Sequence, residues 1–224
     1  CLFVAIFIIK NLKRKNIENA FYTVIFFTCL IITCGFPFIK VTYTNTNYKE
    51  LAPKMYITTS YLAANVDDIV ETFFLRYNMY RDEMEFSKND QLLYLKKIND
   101  RTIVFQNLNT KYKLFELNND LKYFIVHNEG KNQLLSRQTV TYQEEKPPVN
   151  SYVAGKKADF IRNDDIFYIK FDNNSIIEVP SNKRKFYAIF DGKESEIKNY
   201  MKSNRLNNKD LEDLKKIVTY FNSL

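Results

Sequence analysis

The sequence has no tryptophan, one histidine, three cysteines, four glycines and five prolines in 224 residues. Each scarcity excludes something. A His-rich metal site cannot be built from one histidine, and a catalytic triad would need unusual partners for it. His127 ends the strand-like run Tyr123–His127 and reads as a strand-end surface residue. The cysteines, Cys1, Cys29 and Cys34, all lie in or beside apolar runs near the start of the chain, so the remainder can hold neither a disulfide framework nor a Cys-based zinc site. Few glycines and prolines argue against disorder, collagen-like repeats and glycine-rich phosphate loops. Gly155-Lys156-Lys157 and Gly192-Lys193 lack the G-x-x-x-x-G-K-[ST] frame, and no H-E-x-x-H, G-x-S-x-G or C-x-x-C is present. No cofactor is expected.

Positive charge, in contrast, is in excess. The formal net charge is +7 and the isoelectric point about 9.1. A nucleic-acid binder concentrates its basic residues. Here Lys and Arg alternate with Asp, Glu and Asn along nearly every segment, which describes a solvated basic surface and no nucleic-acid partner. Aromatic residues are also abundant, with 16 Tyr and 19 Phe. They favour strands and bury large areas, so core packing is the main expectation, with a lined cavity or exposed tyrosines as alternatives.

Phe21 to Ile39 is a run without charge that follows the basic cluster Lys10, Lys13, Arg14 and Lys15. This is the pattern of a secretory signal, and the run is just long enough to span a bilayer as a helix. Both readings leave the cluster on the cytoplasmic side and export the rest to the periplasm, outer membrane or cell surface. A cleaved signal, a retained membrane anchor and lipidation at Cys34, after Ile31-Ile32-Thr33, all remain open.

The chain divides into a hydrophobic signal or anchor region at 1–39, a lead-in at 40–73, an antiparallel β-domain at 74–190, and a helical pair at 191–224. Leu75, Tyr77 and Met79 alternate with Arg76 and Asn78; Asp82-Glu83 interrupts, and Met84 and Phe86 resume. That is strand, turn, strand. Further apolar runs at 92–95, 103–105, 112–117, 121–126, 134–142, 166–171, 176–179 and 186–190 are separated by Asn- and Asp-rich breaks that favour turns. The expected fold is mainly β: an antiparallel meander, a curved sheet or partial barrel, closed by two C-terminal helices. Gln143 to Asp159, containing Pro147-Pro148, is the expected exposed loop. In the helical pair, Ile197, Tyr200 and Met201 share one face, and Leu211, Leu214, Ile217, Val218 and Phe221 another, with Asn208 as N-cap.

The candidate surface is Tyr80, Asp82, Glu83 and Glu85. Clustered carboxylates can do acid–base work or bind calcium. Neighbours on a strand face opposite ways, however, so a turn with solvated charges is the plainer expectation and a hydrolase the weaker one.

The segment Arg76-Tyr-Asn-Met-Tyr-Arg-Asp-Glu-Met-Glu-Phe86 resembles an RYN-x-Y-x-DEMEF segment in a family of uncharacterised exported envelope proteins of flavobacteria and related Bacteroidetes. The ending from Asp191-Gly-Lys193 to Tyr220-Phe-Asn222-Ser223 is similar to that family's Lys-rich C-terminus. The resemblance spans about Phe74 to Leu224. It implies an exported envelope protein with a β-rich body and carries no catalytic residue across. The family's plain signal peptide differs from the N-terminus here, where a second apolar run, Cys1 to Ile9, comes first. Together these readings give a non-enzymatic envelope domain that binds a protein or surface component, or alternatively a periplasmic carrier with an apolar ligand in a half-barrel cavity.

Overall fold

The computed structural model describes residues 38–40, 51–67, 69–148 and 155–224. The targeting helix expected within 1–39 therefore lies outside the described residues, except that Phe38 and Ile39 at its end belong to a strand. Among the described residues, no helix is long and apolar enough to cross a membrane.

The chain is mainly β. Its strands are β1 (Phe38–Lys40), β2 (Leu62–Val66), β3 (Phe73–Asn78), β4 (Glu83–Lys88), β5 (Gln91–Leu95), β6 (Thr102–Phe105), β7 (Thr110–Leu117), β8 (Asp120–Val126), β9 (Gln133–Arg137), β10 (Val140–Gln143), β11 (Asp159–Arg162), β12 (Ile166–Lys170) and β13 (Ile176–Glu178). Three helices follow: α1 (Lys183–Ala188), α2 (Glu194–Ser203) and α3 (Leu211–Phe221). Eleven strands form one sheet in the order β1-β5-β4-β3-β2-β6-β7-β8-β9-β12-β13, and β10 and β11 pair separately. Every pairing is antiparallel.

Turn chemistry sets the register. Asn89 and Asp90 (φ 52° and 58°) join β4 to β5, and Asn118 and Asn119 (φ 55° and 63°) join β7 to β8. Two consecutive left-handed residues make the turn whose twist matches that of the flanking strands, and Asn and Asp tolerate that conformation best after Gly. With the register fixed, the alternation seen in the sequence becomes burial. Leu75, Tyr77, Met79, Met84 and Phe86 are all buried on one face.

The sheet is curled into a half-barrel. Laid flat, β3 and β8 would stand four spacings apart, about 19 Å, with β2, β6 and β7 between them. Yet the ring centroids of Tyr77 on β3 and Tyr123 on β8 are 5.8 Å apart. Asp82, in the β3–β4 turn, accepts a hydrogen bond from the Tyr123 backbone N–H at 3.3 Å. The concave face holds one core cluster that includes Ala64, Leu75, Tyr77, Met84, Ile103 and Leu114. Val140 and Phe160 of the β10–β11 hairpin and Met55 of the 3-10 turn Ala52–Met55 join it from the open side.

A second cluster continues on the same face, where α1, α2 and α3 cover Leu134 of β9 and Ile169 of β12. On the opposite face Phe115, Phe124, Leu135 and Tyr168 form a smaller cluster. The Lys113 and Lys170 ammonium groups lie 5.2 and 5.4 Å from the Phe115 ring centroid, and the Arg137 guanidinium 5.9 Å from that of Phe124.

Several expectations need correction. The sheet begins before residue 74: β2, from the lead-in, is a central strand between β3 and β6. The run 134–142 is two strands, β9 and β10, in different sheets. The long polar link ends in a strand, β11. The run 186–190 is not a strand. It contains the end of α1, whose N-cap Asn182 accepts hydrogen bonds from the N–H groups of Arg184 and Lys185. Phe186 and Phe190 satisfy both a period of two and a spacing of four, and the cap upstream selects the helix. The N-cap of α3 is Asp210, which accepts from the Asp213 N–H at 3.0 Å. Asn208 is instead buried and donates to the Pro180 carbonyl at 2.7 Å, tying the α2–α3 connection to the lead-in of α1.

Candidate functional site

The β3–β4 hairpin carries the four residues expected to form a charged surface. Its register pairs Arg76 with Glu85, Tyr77 with Met84 and Asn78 with Glu83. Period-two alternation then sends Arg76, Asn78 and Glu85 to the outer face, away from Leu75 and Tyr77.

Glu85 is not a solvated charge, because its exposure is 0%. It accepts hydrogen bonds from Tyr56 Oη at 2.9 Å, Arg76 Nε at 3.0 Å and Asn78 Nδ2 at 2.8 Å. Arg76 lies 4.0 Å from the Tyr56 ring centroid and 4.6 Å from that of Tyr61, so the guanidinium is held between two aromatic faces. Burial works against its charge, but Tyr56, Glu85 and Tyr61 outweigh that and raise its pKa.

Asp82 is also buried, in a left-handed conformation at φ 56°. It accepts from Tyr77 Oη at 2.7 Å and from Lys97 Nζ at 3.3 Å, besides the Tyr123 N–H. Burial and then Asp82 push the Tyr77 phenol well above its ordinary value, so it remains a donor. Glu83 is half-buried, 3.5 Å from the same Lys97, and burial raises its carboxyl despite that lysine. Tyr80 is partly exposed and stacks edge-on against Phe160 at 4.8 Å.

The structure therefore brings Asp82 and Glu83 together around Lys97, while Glu85 sits in a separate network. The three carboxylates fasten the hairpin to its surroundings. Among the described residues, no group of three or more His, Cys, Asp or Glu side chains is placed to hold a metal ion. Two buried side-chain atoms there lack a hydrogen-bond partner, Tyr123 Oη and Arg137 Nε, and both residues border Asp82.

His127 is not a surface residue either. It is half-buried, with Nε2 2.8 Å from Oγ of the fully buried Ser136 and its ring 6.5 Å from that of Phe167. The loop after it is fastened to the end of α3. Asn132 donates to Asn222 Oδ1 from its backbone N–H at 2.9 Å and from Nδ2 at 2.8 Å, and Asn222 Nδ2 donates back to the Asn132 carbonyl at 2.8 Å. Gly130 permits this approach, because a Cβ there would lie 2.7 Å from Asn222 Nδ2. We expect Asn222→Ala to lower stability by about 1–3 kcal/mol, since it strands two partly buried donors of Asn132. Urea denaturation checks this, and an unchanged midpoint would show the clamp to be idle.

The surface formed by the described residues also carries open grooves. One lies between the β12–β13 turn and α1, lined by Phe171, Asp172, Asn173, Ile177, Ile189 and Asp191 among others. Another lies on α2 and α3, where the Tyr200 and Tyr220 rings stack in parallel with centroids 4.0 Å apart. The connection between β2 and β3 presents Ile69 at 41% and Val70 at 101% exposure, followed by Phe74 at 63% on the outer face of β3. These three are the apolar positions that alternation alone did not single out: 66–70 reads equally as helix or strand, and Phe74 reads as an ordinary strand residue. The chain matches no protein-family model, no curated protein and no solved structure.

Proposed function

We propose that this chain is a non-enzymatic, exported β-domain of the cell envelope that works by binding another protein or a surface component. Its connection to the membrane would be the uncharged run that begins at residue 21 and precedes β1, unless that run is removed. The observation that carries the binding mode is the contrast between the two faces at β3. The concave side is occupied by the protein's own rings, with Tyr77, Phe105, Tyr112 and Tyr123 all at 4% exposure or less, while Ile69, Val70 and Phe74 stand in water. Apolar side chains left exposed close together in sequence, in the β2–β3 connection and on the outer face of β3, suit a partner surface. The curled sheet also fits the carrier reading, but an apolar ligand would have to displace those rings.

The test is cross-linking in the native envelope, followed by purification of wild type and of Val70→Asp with Phe74→Asp. The double variant should lose its cross-linked partner while its stability changes by about 0.5 kcal/mol or less per site, as is usual at exposed positions. Retained cross-links would remove the hairpin from the interface. A lipid co-purifying in stoichiometric amount would replace the binding reading with the carrier.

A further inference from the structure

We propose that the outer edge of β13, with the groove beside it, takes up an extended peptide of another protein, one that carries an apolar residue and a lysine or arginine. The edge comes first. β13 is the last strand of the sheet, and among the described residues only β12 pairs with it. The Phe171 N–H donates to the Ser175 carbonyl and the Val179 N–H to the Phe167 carbonyl, each at 2.8 Å. Those two bonds fix the phase of the ladder. Ile169 and Ile177, midway between them, are a hydrogen-bonded pair, so Ile176 and Glu178 turn their N–H and C=O groups away from β12. A row of that kind is a template for one more strand.

The groove supplies the chemistry of the guest. Ile177 lies opposite Ile169 and so shares the helix-covered face, yet it is 37% exposed. A strand added at a spacing of about 4.8 Å sets one side chain beside Ile177 on that face. There the groove of about 680 Å³ offers Phe171, Ile189 and Phe221 as apolar walls. Its charged lining residues are Asp172 and Asp191, and no lysine or arginine lines it. Neither carboxylate forms an ion pair with a described residue. The basic residues close by in sequence are engaged elsewhere: Lys170 with Asn174 at 2.8 Å, near the Phe115 ring on the opposite face, and Lys193 with Glu196 at 3.3 Å. On a chain of net charge +7, this groove has the sign that draws a cation.

The groove is also held in shape. The Asp172 N–H donates to Asn132 Oδ1 at 3.1 Å, and Asn132 is itself clamped by Asn222. Inside the turn, Asn173 Oδ1 accepts from the Ser175 N–H and hydroxyl at 2.9 and 2.7 Å. A fixed receptor loses little freedom when the guest arrives. Pro180 follows the strand and has no N–H, so the guest's ladder ends there.

The probe is a labelled, N-acetylated hexapeptide in which threonine alternates with valine, valine and lysine. Fluorescence anisotropy with the full chain reads affinity, and hydrogen exchange reads place. Saturable binding is expected, with protection gained at the Ile176 and Glu178 amides. A glutamate in place of the lysine should weaken it, as should methylation of the backbone nitrogens in one of the two alternating phases. Asp172→Asn with Asp191→Asn should weaken the lysine peptide about two- to thirtyfold, the range for losing two exposed charge pairs. Should that variant fold poorly, the comparison of lysine and glutamate peptides on the wild type still decides. Equal binding of those two peptides overturns the proposal, and so does an absence of saturable binding up to millimolar peptide. Protection gained at Ile69, Val70 and Phe74 instead, or self-association of the chain through β13, overturns it as well.

Discussion

Glu85→Ala is expected to destabilise the domain by about 3–5 kcal/mol, the usual cost of breaking a buried ion pair by removing one member. The carboxylate is at 0% exposure and is contacted by Arg76, Tyr56 and Asn78 together. Without it, Arg76 keeps its charge between two tyrosine rings, with its side chain only 19% exposed, and Asn78, fully buried, loses a partner. The cost thus comes from what is left behind more than from the attraction removed. That distinction can be measured. Replacing both members, with Arg76→Met and Glu85→Leu, should recover a large part of the loss, because a well-packed apolar pair avoids stranding a charge. Urea unfolding of the two single variants and the double variant gives the full cycle. A single-variant loss below about 1 kcal/mol would mean that water replaces the carboxylate freely, and that the network is ornamental.

Leu214→Ala is expected to cost about 2–5 kcal/mol, the range for emptying a packed leucine site. Leu214 is fully buried, in one cluster with Ile197 and Met201 of α2, Phe186 and Phe190 around α1, and Leu134 and Ile169 of the sheet. Helices of this length are marginal alone in water, so this contact is what keeps them folded. For a chain of this size the loss corresponds to a fall in melting temperature of about 5–15 °C. Calorimetry of Leu214→Ala, with a chain ended after Phe190 alongside, reads the effect. Unchanged melting in both would mean that the helices stand free of the sheet and are themselves a binding element.

How much of this was legible in the sequence depends on the range of the interaction concerned. Strand alternation and Asn-rich breaks are local, and they located β3 to β8, β12 and β13, with the inward faces of β3 and β4. The stripes of α2 and α3 were equally plain. Ambiguity began where two periods coincide: Phe186 and Phe190 fit a strand as well as a helix, and only the side-chain cap at Asn182 separates the two. The placement of β2 between β3 and β6 is a pairing choice that no local pattern encodes.

The candidate site was legible in composition but not in environment. Asp82, Glu83 and Glu85 look like a solvated turn because nothing near them in sequence announces Tyr56, Lys97 or the Tyr123 N–H. The Arg76–Glu85 partnership could have been found, since the hairpin register dictates it once the turn is placed. The fastening of Asn132 by Asn222, ninety residues away, left no trace in either segment.

The central position of β2 has a kinetic consequence. The hairpins β3-β4-β5 and β7-β8 can form from their own turns, within microseconds for such local units. β2 cannot be enclosed until β6 arrives from beyond β5, and the half-barrel cannot shut until Asp82 finds Tyr123 across 41 residues of chain. Later still come contacts spanning 90 and 105 residues, Asn132–Asn222 between the loop before β9 and the end of α3, and Lys54–Asp159 between the 3-10 turn and β11. Loop closures of that kind place folding toward the slow end of the range for single domains. Until β6 pairs, one edge of β2 lies open to any strand that comes by, including the same strand in a neighbouring chain. Refolding at high protein concentration is where this topology is most exposed to misassembly.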